Sequence, residues 1–265
     1  MTDISNADYH ADPAVSASHL KEISRSPYHY WSKYLDPNRT PTIATSAMKL
    51  GSLTHCAVLE PDELSKRYGI TPDRRSNAGK ALAAEMEASG IEAVTAQEME
   101  QALAMAASVR SNSTVSSLLS NGAAETSHWW DDVATGLRCK CRPDWFDGET
   151  IVDLKTCQDA SPALFAAAVG RFSYQLQAAH YLCGTLAKRF VFVAVEKSAP
   201  YAVGCYELDA EAMVHGSVLR HNSLQRIQDC RAINSWPSYT DGGIQTLQLP
   251  GWALKDQTTI TSEDF

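Results

Sequence analysis

The segment from Trp129 to Lys155 constrains the fold of this chain most, because its hydrophobic residues recur with the period of a β-strand. Residues 129–146 alternate in the manner of paired strands, and Asp147-Gly148 is a strong signal for a hairpin turn. The apolar residues after the turn favour a further strand that reaches Lys155. We therefore predict a three-strand meander across this segment.

Helical patterns surround the meander. Helices are predicted after Ser16 and after Pro27, at residues 47–59, 78–90 and 95–110, after Pro162, and at residues 174–186 and 209–233; strands are predicted at residues 190–196 and 201–208. This order of elements predicts an α/β fold in which a central mixed sheet is flanked by helices on both faces. An N-terminal helical extension precedes it.

Neither an internal repeat nor a long linker divides the sequence, so we predict a single domain over residues 1–265. Residues 1–125 form its mainly helical N-terminal part. Residues 126–235 form the α/β core, and residues 236–265 form a C-terminal tail.

The charge balance limits how the protein could bind nucleic acid. Lys and Arg number 23 against 31 Asp and Glu, which gives a formal net charge of -8. A chain of this charge does not adhere broadly to phosphate, so any nucleic-acid site must be local.

The sequence predicts a soluble protein of the cytoplasm that does not bind a membrane. It contains no apolar run of the roughly 18 residues that span a bilayer, and its N-terminus lacks the features of a signal peptide. Its 7 cysteines include no CxxC pair, so we expect reduced thiols and no structural zinc site.

Acidic residues and one amine converge on the predicted hairpin. Asp144 follows Arg142-Pro143 before the turn, and Asp153 and Lys155 lie after it, two residues apart and so on one side of their strand. Two carboxylates at one point favour a magnesium ion between them. An ammonium beside the ion can hold the attacking water or neutralise a phosphoryl oxygen, as phosphodiester hydrolysis requires. The alternative for a bare Asp-x-Lys is a surface ion pair.

The pattern Pro143-Asp144 with Asp153-x-Lys155 resembles the signature of the PD-(D/E)xK nuclease superfamily. Gln177 and Tyr181 are similar to the Gln-x-x-x-Tyr motif of its RecB-like branch, and four residues apart they share one helix face. The most specific resemblance is to the RecE, or exonuclease VIII, family. Phrases that match it run from Ser16-x-Ser18-x-Leu-Lys to Pro250-Gly-Trp252.

The resemblance implies a restriction-endonuclease-like core and a set of site residues. Asp144, Asp153, Lys155, Gln177 and Tyr181 would be catalytic. Metal ligands would be His55, Asp144, Asp153 and the backbone carbonyl of Leu154, and Glu60 is a weaker candidate. The implied ion is Mg²⁺, and Mn²⁺ is expected to substitute because it accepts imidazole well.

The same resemblance implies an ATP-independent exonuclease that degrades one strand of linear double-stranded DNA from 5′ to 3′. The remaining 3′ strand would serve a RecT-like single-strand annealing protein in recombination. A ring-shaped homo-oligomer, trimer or tetramer, and a phage or prophage origin in a bacterial host are also implied. Cys183 stands where the family pattern has an acidic residue. The alternatives are a sequence-specific or structure-specific endonuclease and a non-catalytic DNA-end-binding protein.

A few cations could line a DNA channel in an acidic protein. Candidates are Arg74, Arg75 and Lys80 between two helices, and Arg138, Lys140 and Arg142 beside the predicted active strand. The alternative for the first group is a solvated loop. Trp129, Trp130 and Trp145 could stack on bases, although packing in the core is the commoner role of tryptophan.

Overall fold

A computed structural model describes residues 4–40, 43–72, 76–240 and 243–254 of the chain. Its α-helices are α1 (Asn6–Ala11), α2 (Ala17–Arg25), α3 (Pro27–Tyr30), α4 (Ser46–Leu59), α5 (Leu64–Arg67), α6 (Asn77–Ala88), α7 (Ala96–Ser111), α8 (Ser113–Leu118), α9 (Pro162–Arg171), α10 (Tyr174–Thr185) and α11 (Ala210–Ile233). Its strands are β1 (Tyr68–Thr71), β2 (Glu92–Thr95), β3 (Ala123–Ala124), β4 (His128–Asp131), β5 (Arg138–Cys141), β6 (Trp145–Phe146), β7 (Thr150–Cys157), β8 (Arg189–Glu196) and β9 (Val203–Tyr206). A π-helical turn, Trp31–Leu35, extends α3, and Pro61–Glu63 and Gly251–Leu254 are 3-10 turns.

Side-chain caps explain where several helices begin. The side chains of Ser26, Thr45, Thr95 and Asp209 accept hydrogen bonds from backbone N–H groups of the first turns of α3, α4, α7 and α11. The helices predicted at residues 47–59, 78–90, 95–110 and 209–233 are confirmed to within two residues at each end.

The central sheet has five strands in the order β3-β6-β7-β8-β9. The pair β7–β8 is parallel, whereas the other three pairings are antiparallel, so the sheet is mixed as predicted. β7 and β8 have eight residues each; residues 151–154 of β7 and residues 190–195 of β8 are buried. Both faces of the sheet are covered here, which explains the almost continuous apolar sequence of β8.

The predicted three-strand meander was wrong at the connection between β5 and β6, which do not pair with each other. β4 and β5 form a separate two-stranded sheet, and only the short β6 pairs with β7. Pro143 lacks an N–H group for a ladder between β5 and β6. β5 instead makes a bridge to the N-terminal part of the chain, where Val15 lies beside Cys139. The short parallel pair β1–β2 and the helix α1 were not predicted.

Helices cover the sheet on both sides. On one face, α4 and α7 contribute Ala57, Val58, Met105 and Val109 to a core with Val152, Leu154, Val193 and Val195. On the other face, α9 and α10 contribute Phe165 and Ala178 to a core with Ile151, Phe190 and Phe192. A third core joins α2 and α11 to α10. This is the α/β fold with helices on both faces of a mixed sheet that the order of elements predicts.

Within the described ranges, no helix is both long enough and apolar enough to cross a bilayer. The helix α11 ends at Ile233, near the predicted boundary between core and tail. The division into segments at residues 125 and 235 stays a prediction.

Candidate functional site

The pairing of β6 with β7 brings the two predicted carboxylates together. Trp145 lies opposite Val152, so Asp144, which precedes β6, lies beside Asp153 and Leu154. The Leu154 N–H donates a hydrogen bond of 2.8 Å to Oδ2 of Asp144. The backbone of β7 therefore fixes the direction of the Asp144 carboxylate.

Asp153 is completely buried, and two side chains hold its carboxylate. Lys155, on the same side of β7, forms an ion pair with Oδ2 of Asp153. On the facing helix α10, Nε2 of Gln177 donates a hydrogen bond of 2.6 Å to Oδ1. The sheet thus presents an oriented carboxylate and an ammonium toward α10.

Burial and the neighbouring charges shift the pKa values of Asp153 and Lys155. Burial raises the pKa of Asp153 above its ordinary value, and Asp144 adds to the rise although Lys155 opposes it. Burial acts to lower the pKa of Lys155, but Asp153 and Asp144 outweigh it and hold that pKa above its ordinary value. Lys155 is therefore a permanent cation at neutral pH.

A group of ligand atoms lies next to the pair. His55 on α4, Glu125 after β3 and Asp144 each offer one ligand atom, and these atoms all lie within 4.8 Å of one another. Nδ1 of His55 is 3.5 Å from Oδ2 of Asp144. One imidazole nitrogen and two carboxylate oxygens at this spacing suit a divalent cation, which would relieve the repulsion between the acids.

Glu125 is a candidate ligand that the sequence did not reveal. Its backbone has a φ of 52°, in the left-handed region that residues other than glycine rarely adopt. Its N–H donates to the Asp144 backbone carbonyl at 3.1 Å, which ties the two acids together. Burial, with further contributions from Asp144 and Glu60, raises the pKa of Glu125 to about 8. A carboxyl held this far from its ordinary pKa is poised to exchange its proton for a metal ion.

Glu60, a weaker candidate for a metal ligand, pairs with an arginine. Its two carboxylate oxygens each accept a hydrogen bond of 2.7 Å from the Arg67 guanidinium. Glu60 is not among the three residues whose ligand atoms are grouped in the described part of the chain. It acts on the site through its charge, by raising the pKa of Glu125.

Two adjoining clefts open onto these residues. The first has a volume of about 610 Å³ and is lined by His55, Glu60 and Glu125 among others. The second, about 470 Å³, is lined by Gln177 and Tyr181 among others. Both lining sets include Glu125, so the clefts adjoin beside this one candidate metal ligand. An extended substrate that entered both clefts would pass Glu125.

Gln177 and Tyr181 share the face of α10 that lines the second cleft. The Tyr181 ring packs edge-on against Phe190 at a centroid distance of 6.1 Å. Burial raises the pKa of Tyr181 well above 10, so its hydroxyl remains protonated.

The backbone N–H of Leu154 donates the hydrogen bond that this residue makes to Asp144. Ligation of a metal by the Leu154 carbonyl stays a prediction.

The predicted DNA-contacting cations are found in different settings. Arg74 and Arg75 lie outside the described residues, and Lys80 is exposed on α6. Lys140, 2% exposed, and Arg142, 8% exposed, are not the free surface charges that we expected.

Lys140 donates to the backbone carbonyls of Tyr9 and Asp12. Arg142 stacks on the Tyr9 ring, with its guanidinium carbon 4.1 Å from the ring centroid, and donates to the Ile4 carbonyl. Both side chains hold the N-terminal segment against the core. α1, which the sequence pattern did not predict, covers them, yet both residues line the second cleft and Arg142 also lines the first. Contact of Arg142 with DNA stays a prediction.

Arg138 and the three tryptophans have partners within the protein, and their contact with DNA stays a prediction. Arg138 is exposed and pairs with Asp131. Trp129 packs near Tyr9, Trp130 packs against His180, and Trp145 donates to the Asn121 carbonyl at 2.9 Å. The three tryptophans are partly buried, which favours the packing role over base stacking.

Comparisons with known proteins agree with this architecture. The family described as "PDDEXK-like domain of unknown function (DUF3799)" matches residues 16–249. A crystal structure from Eubacterium rectale, named "Putative exonuclease", is similar with a TM-score of 0.64 and 14% sequence identity, over 97% of this chain and 99% of that chain. The structure of SSO0001 has a TM-score of 0.35 and 13% identity, over 83% of this chain and 81% of that chain. No curated protein matches the sequence.

Proposed function

This chain belongs to the DUF3799 family of PDDEXK-like domains and is a PD-(D/E)xK nuclease domain, and on that premise we propose that it is a metal-dependent exodeoxyribonuclease. The observation that carries the proposal is the buried pair of Asp153 and Lys155 beside the grouped ligand atoms of His55, Glu125 and Asp144. A fixed ammonium next to a divalent-cation site suits hydrolysis of a phosphodiester better than recognition alone.

His55, Glu125 and Asp144 would hold the ion, with Asp153 and the Leu154 carbonyl as further proposed ligands. Mg²⁺ is the proposed ion and Mn²⁺ its substitute, since the site combines carboxylates with an imidazole. The bound ion would lower the pKa of an attacking water and stabilise charge on the phosphoryl oxygens.

The protein's own side chains orient the Asp153 carboxylate and neutralise charge on the phosphate. Lys155 places a positive charge beside the reacting phosphate, where charge develops in the transition state. Gln177 holds the Asp153 carboxylate in one rotamer. Tyr181 stays protonated, so its hydroxyl can donate a hydrogen bond to a phosphate oxygen.

We assign the substrate as the ends of linear double-stranded DNA, degraded from 5′ to 3′ without ATP. The support is the resemblance of the sequence to the RecE family, together with the name of the similar Eubacterium rectale protein. The same resemblance supports a ring of three or four copies, a RecT-like annealing partner, a role in recombination, and a cytoplasmic site of action in a phage-carrying bacterium.

The test is digestion of a linear duplex labelled at one 5′ end or at one 3′ end, with and without Mg²⁺ or Mn²⁺. Release of 5′ label as mononucleotide while the 3′ label stays on a long strand is the expected result. Closed circular plasmid should remain intact. The Lys155→Ala variant serves as the inactive control, and Lys188→Ala, which removes an exposed lysine, serves as the active one.

Other outcomes would identify the alternatives. Cleavage of the closed circle would indicate an endonuclease. Binding of duplex ends with no cleavage under either ion would indicate a non-catalytic DNA-end-binding protein, and the catalytic proposal would then be abandoned.

A further inference from the structure

Lys21 on α2 places a second ammonium beside the catalytic pair. Its Nζ donates a hydrogen bond of 3.3 Å to Oε1 of Gln177, whose Nε2 donates to Asp153. Lys21 and Gln177 are 156 positions apart in the sequence, so only the folded chain brings them together. Among the described residues, no carboxylate lies within 4.0 Å of the Lys21 ammonium.

The ammonium groups of Lys21 and Lys155 both contact the aromatic ring of Tyr174. The ammonium of Lys21 lies 5.0 Å from the centroid of its ring, and that of Lys155 lies 4.9 Å from the same centroid. Attraction to the ring compensates part of the cost of bringing two like charges together. Burial, together with the charge of Lys155, still lowers the pKa of Lys21 to about 8. The charge of Asp153 opposes this fall only in part, and an anion beside Lys21 would further stabilise its charged form.

The Lys21 side chain is partly buried and lines the second cleft. Gln177 and Tyr181 line the same cleft. Lys33 lines that cleft too, but its ammonium is already paired with Glu22 at 2.5 Å. Lys21 thus differs from Lys33 in having a carbonyl oxygen as its recorded partner, which leaves two of its three N–H donors for a ligand.

We propose that Lys21 binds a backbone phosphate of the DNA strand in the second cleft, adjacent to the phosphate that Lys155 serves. This inference rests on the proposed nuclease function. Phosphate oxygens accept hydrogen bonds from ammonium groups and satisfy their charge at once. The two ammonium groups that contact the Tyr174 ring would bind consecutive phosphates of a single DNA strand. This binding would determine which phosphodiester bond is cleaved.

A purely structural role makes a different prediction. If Lys21 only orients the Gln177 amide, its removal changes turnover but not the number of phosphate contacts. Each phosphate contact contributes about 0.7 to 0.9 to the slope of log binding constant against log salt concentration. The salt slope therefore separates the two roles.

The experiment measures binding of a fluorescent duplex with a single-stranded end by anisotropy at several salt concentrations. Ca²⁺ replaces Mg²⁺, under conditions where the labelled DNA stays intact. For Lys21→Met we expect weaker binding and a slope smaller in magnitude by about 0.7 to 0.9. Lys21→Arg should keep the wild-type slope because it keeps the charge. Lys188→Met, the matched control, removes an exposed lysine that pairs with Glu149 and should also keep it.

An unchanged salt slope for Lys21→Met, with weaker turnover or without it, would overturn the inference. Because the Lys21 side chain is half-buried, thermal melting checks that the variant folds, and Lys21→Gln replaces it if it does not. The proposed function is tested separately, by digestion with the wild-type protein. A wild type that cleaves DNA while Lys21→Met keeps its slope would refute only the role of Lys21.

Discussion

The Gln177 side-chain amide donates a hydrogen bond of 2.6 Å to the buried carboxylate of Asp153. Its orientation is fixed from both ends, because Lys21 can only donate and an ionised carboxylate can only accept. Gln177 therefore links α2, α10 and β7 through one amide. A glutamine at this position is more than a polar residue on a helix face.

Replacing Gln177 by Glu should reduce turnover by about 10- to 100-fold, the loss expected when a charge-assisted hydrogen bond worth about 1.5–3 kcal/mol is removed. A second carboxylate would also repel Asp153. Single-turnover digestion of linear duplex measures the effect. Gln97→Glu, an exposed change of the same charge on α7, is the control and should retain wild-type turnover. Equal rates in both variants would contradict the assigned role.

Lys155→Met should retain the fold and metal binding but lose hydrolysis. The ammonium supplies charge to the transition state, and loss of one such group costs about 10²- to 10³-fold in rate. Calorimetric titration with Mn²⁺ measures metal binding, and a digestion assay on the same preparation measures hydrolysis. The Lys188→Met variant controls for the loss of one positive charge. Substantial hydrolysis by Lys155→Met would refute the role given to this amine.

The sequence predicted the pair of Asp153 and Lys155 because local geometry determines it. Residues two apart on a strand share a side, and a tight turn returns the chain beside itself, so Asp144 comes near Asp153 without reference to distant residues. The strand β8 could also be predicted from the sequence, because burial on both faces of a strand requires an almost continuous run of apolar residues.

Glu125 and Lys21 could not be found in the same way. Glu125 reaches the site through the two-residue strand β3 and a left-handed backbone, and neither leaves a pattern in the residue types. Lys21 meets Gln177 only after α2 packs on α10. For Lys140 and Arg142 the strand was foreseen, but the N-terminal helix that buries their charge was not.

Glu125→Gln should weaken Mn²⁺ binding and flatten its dependence on pH. The pKa of Glu125 is raised to about 8, so its carboxyl must lose a proton when metal binds below that pH. Wild-type affinity should rise between pH 6 and pH 8 and level off above. Calorimetry in buffers of different ionisation enthalpy should show about one more proton released by the wild type than by the variant at pH 7. Identical proton release would show that the Glu125 carboxyl is not protonated before metal binds, and unchanged Mn²⁺ affinity in Glu125→Gln would exclude it as a ligand.

The same carboxyl should make the metal-free protein less stable as pH rises. Its pKa is about 8 in the folded chain against an ordinary value of 4.5, so the folded state holds a proton that the unfolded state lacks between these values. The free energy of unfolding contributed by Glu125 therefore falls from about pH 4.5 to about pH 8 and is constant above.

Thermal melts in EDTA across this range measure that contribution. The melting temperature of the wild type should fall relative to that of Glu125→Gln, which has no proton to lose. A constant difference between the two curves from pH 5 to pH 8 would show that the pKa of Glu125 is not raised in the folded protein.

The position of α10, and with it Gln177, depends on a close approach between helices. Gly216 on α11 lies so near α10 that an added methyl group would overlap the Gln175 backbone carbonyl. Gly216→Ala should destabilise the protein by about 1–3 kcal/mol, the cost of overpacking, and should slow digestion because α10 must shift. Gly170→Ala on α9 is the matched control, because no atom of the described residues outside the helix's own backbone lies within 4 Å of the added carbon. It should be neutral or more stable by up to about 1 kcal/mol, because alanine favours helix. Urea unfolding and digestion rates of both variants are the measurement, and equal stability of the two would contradict the packing described between α10 and α11.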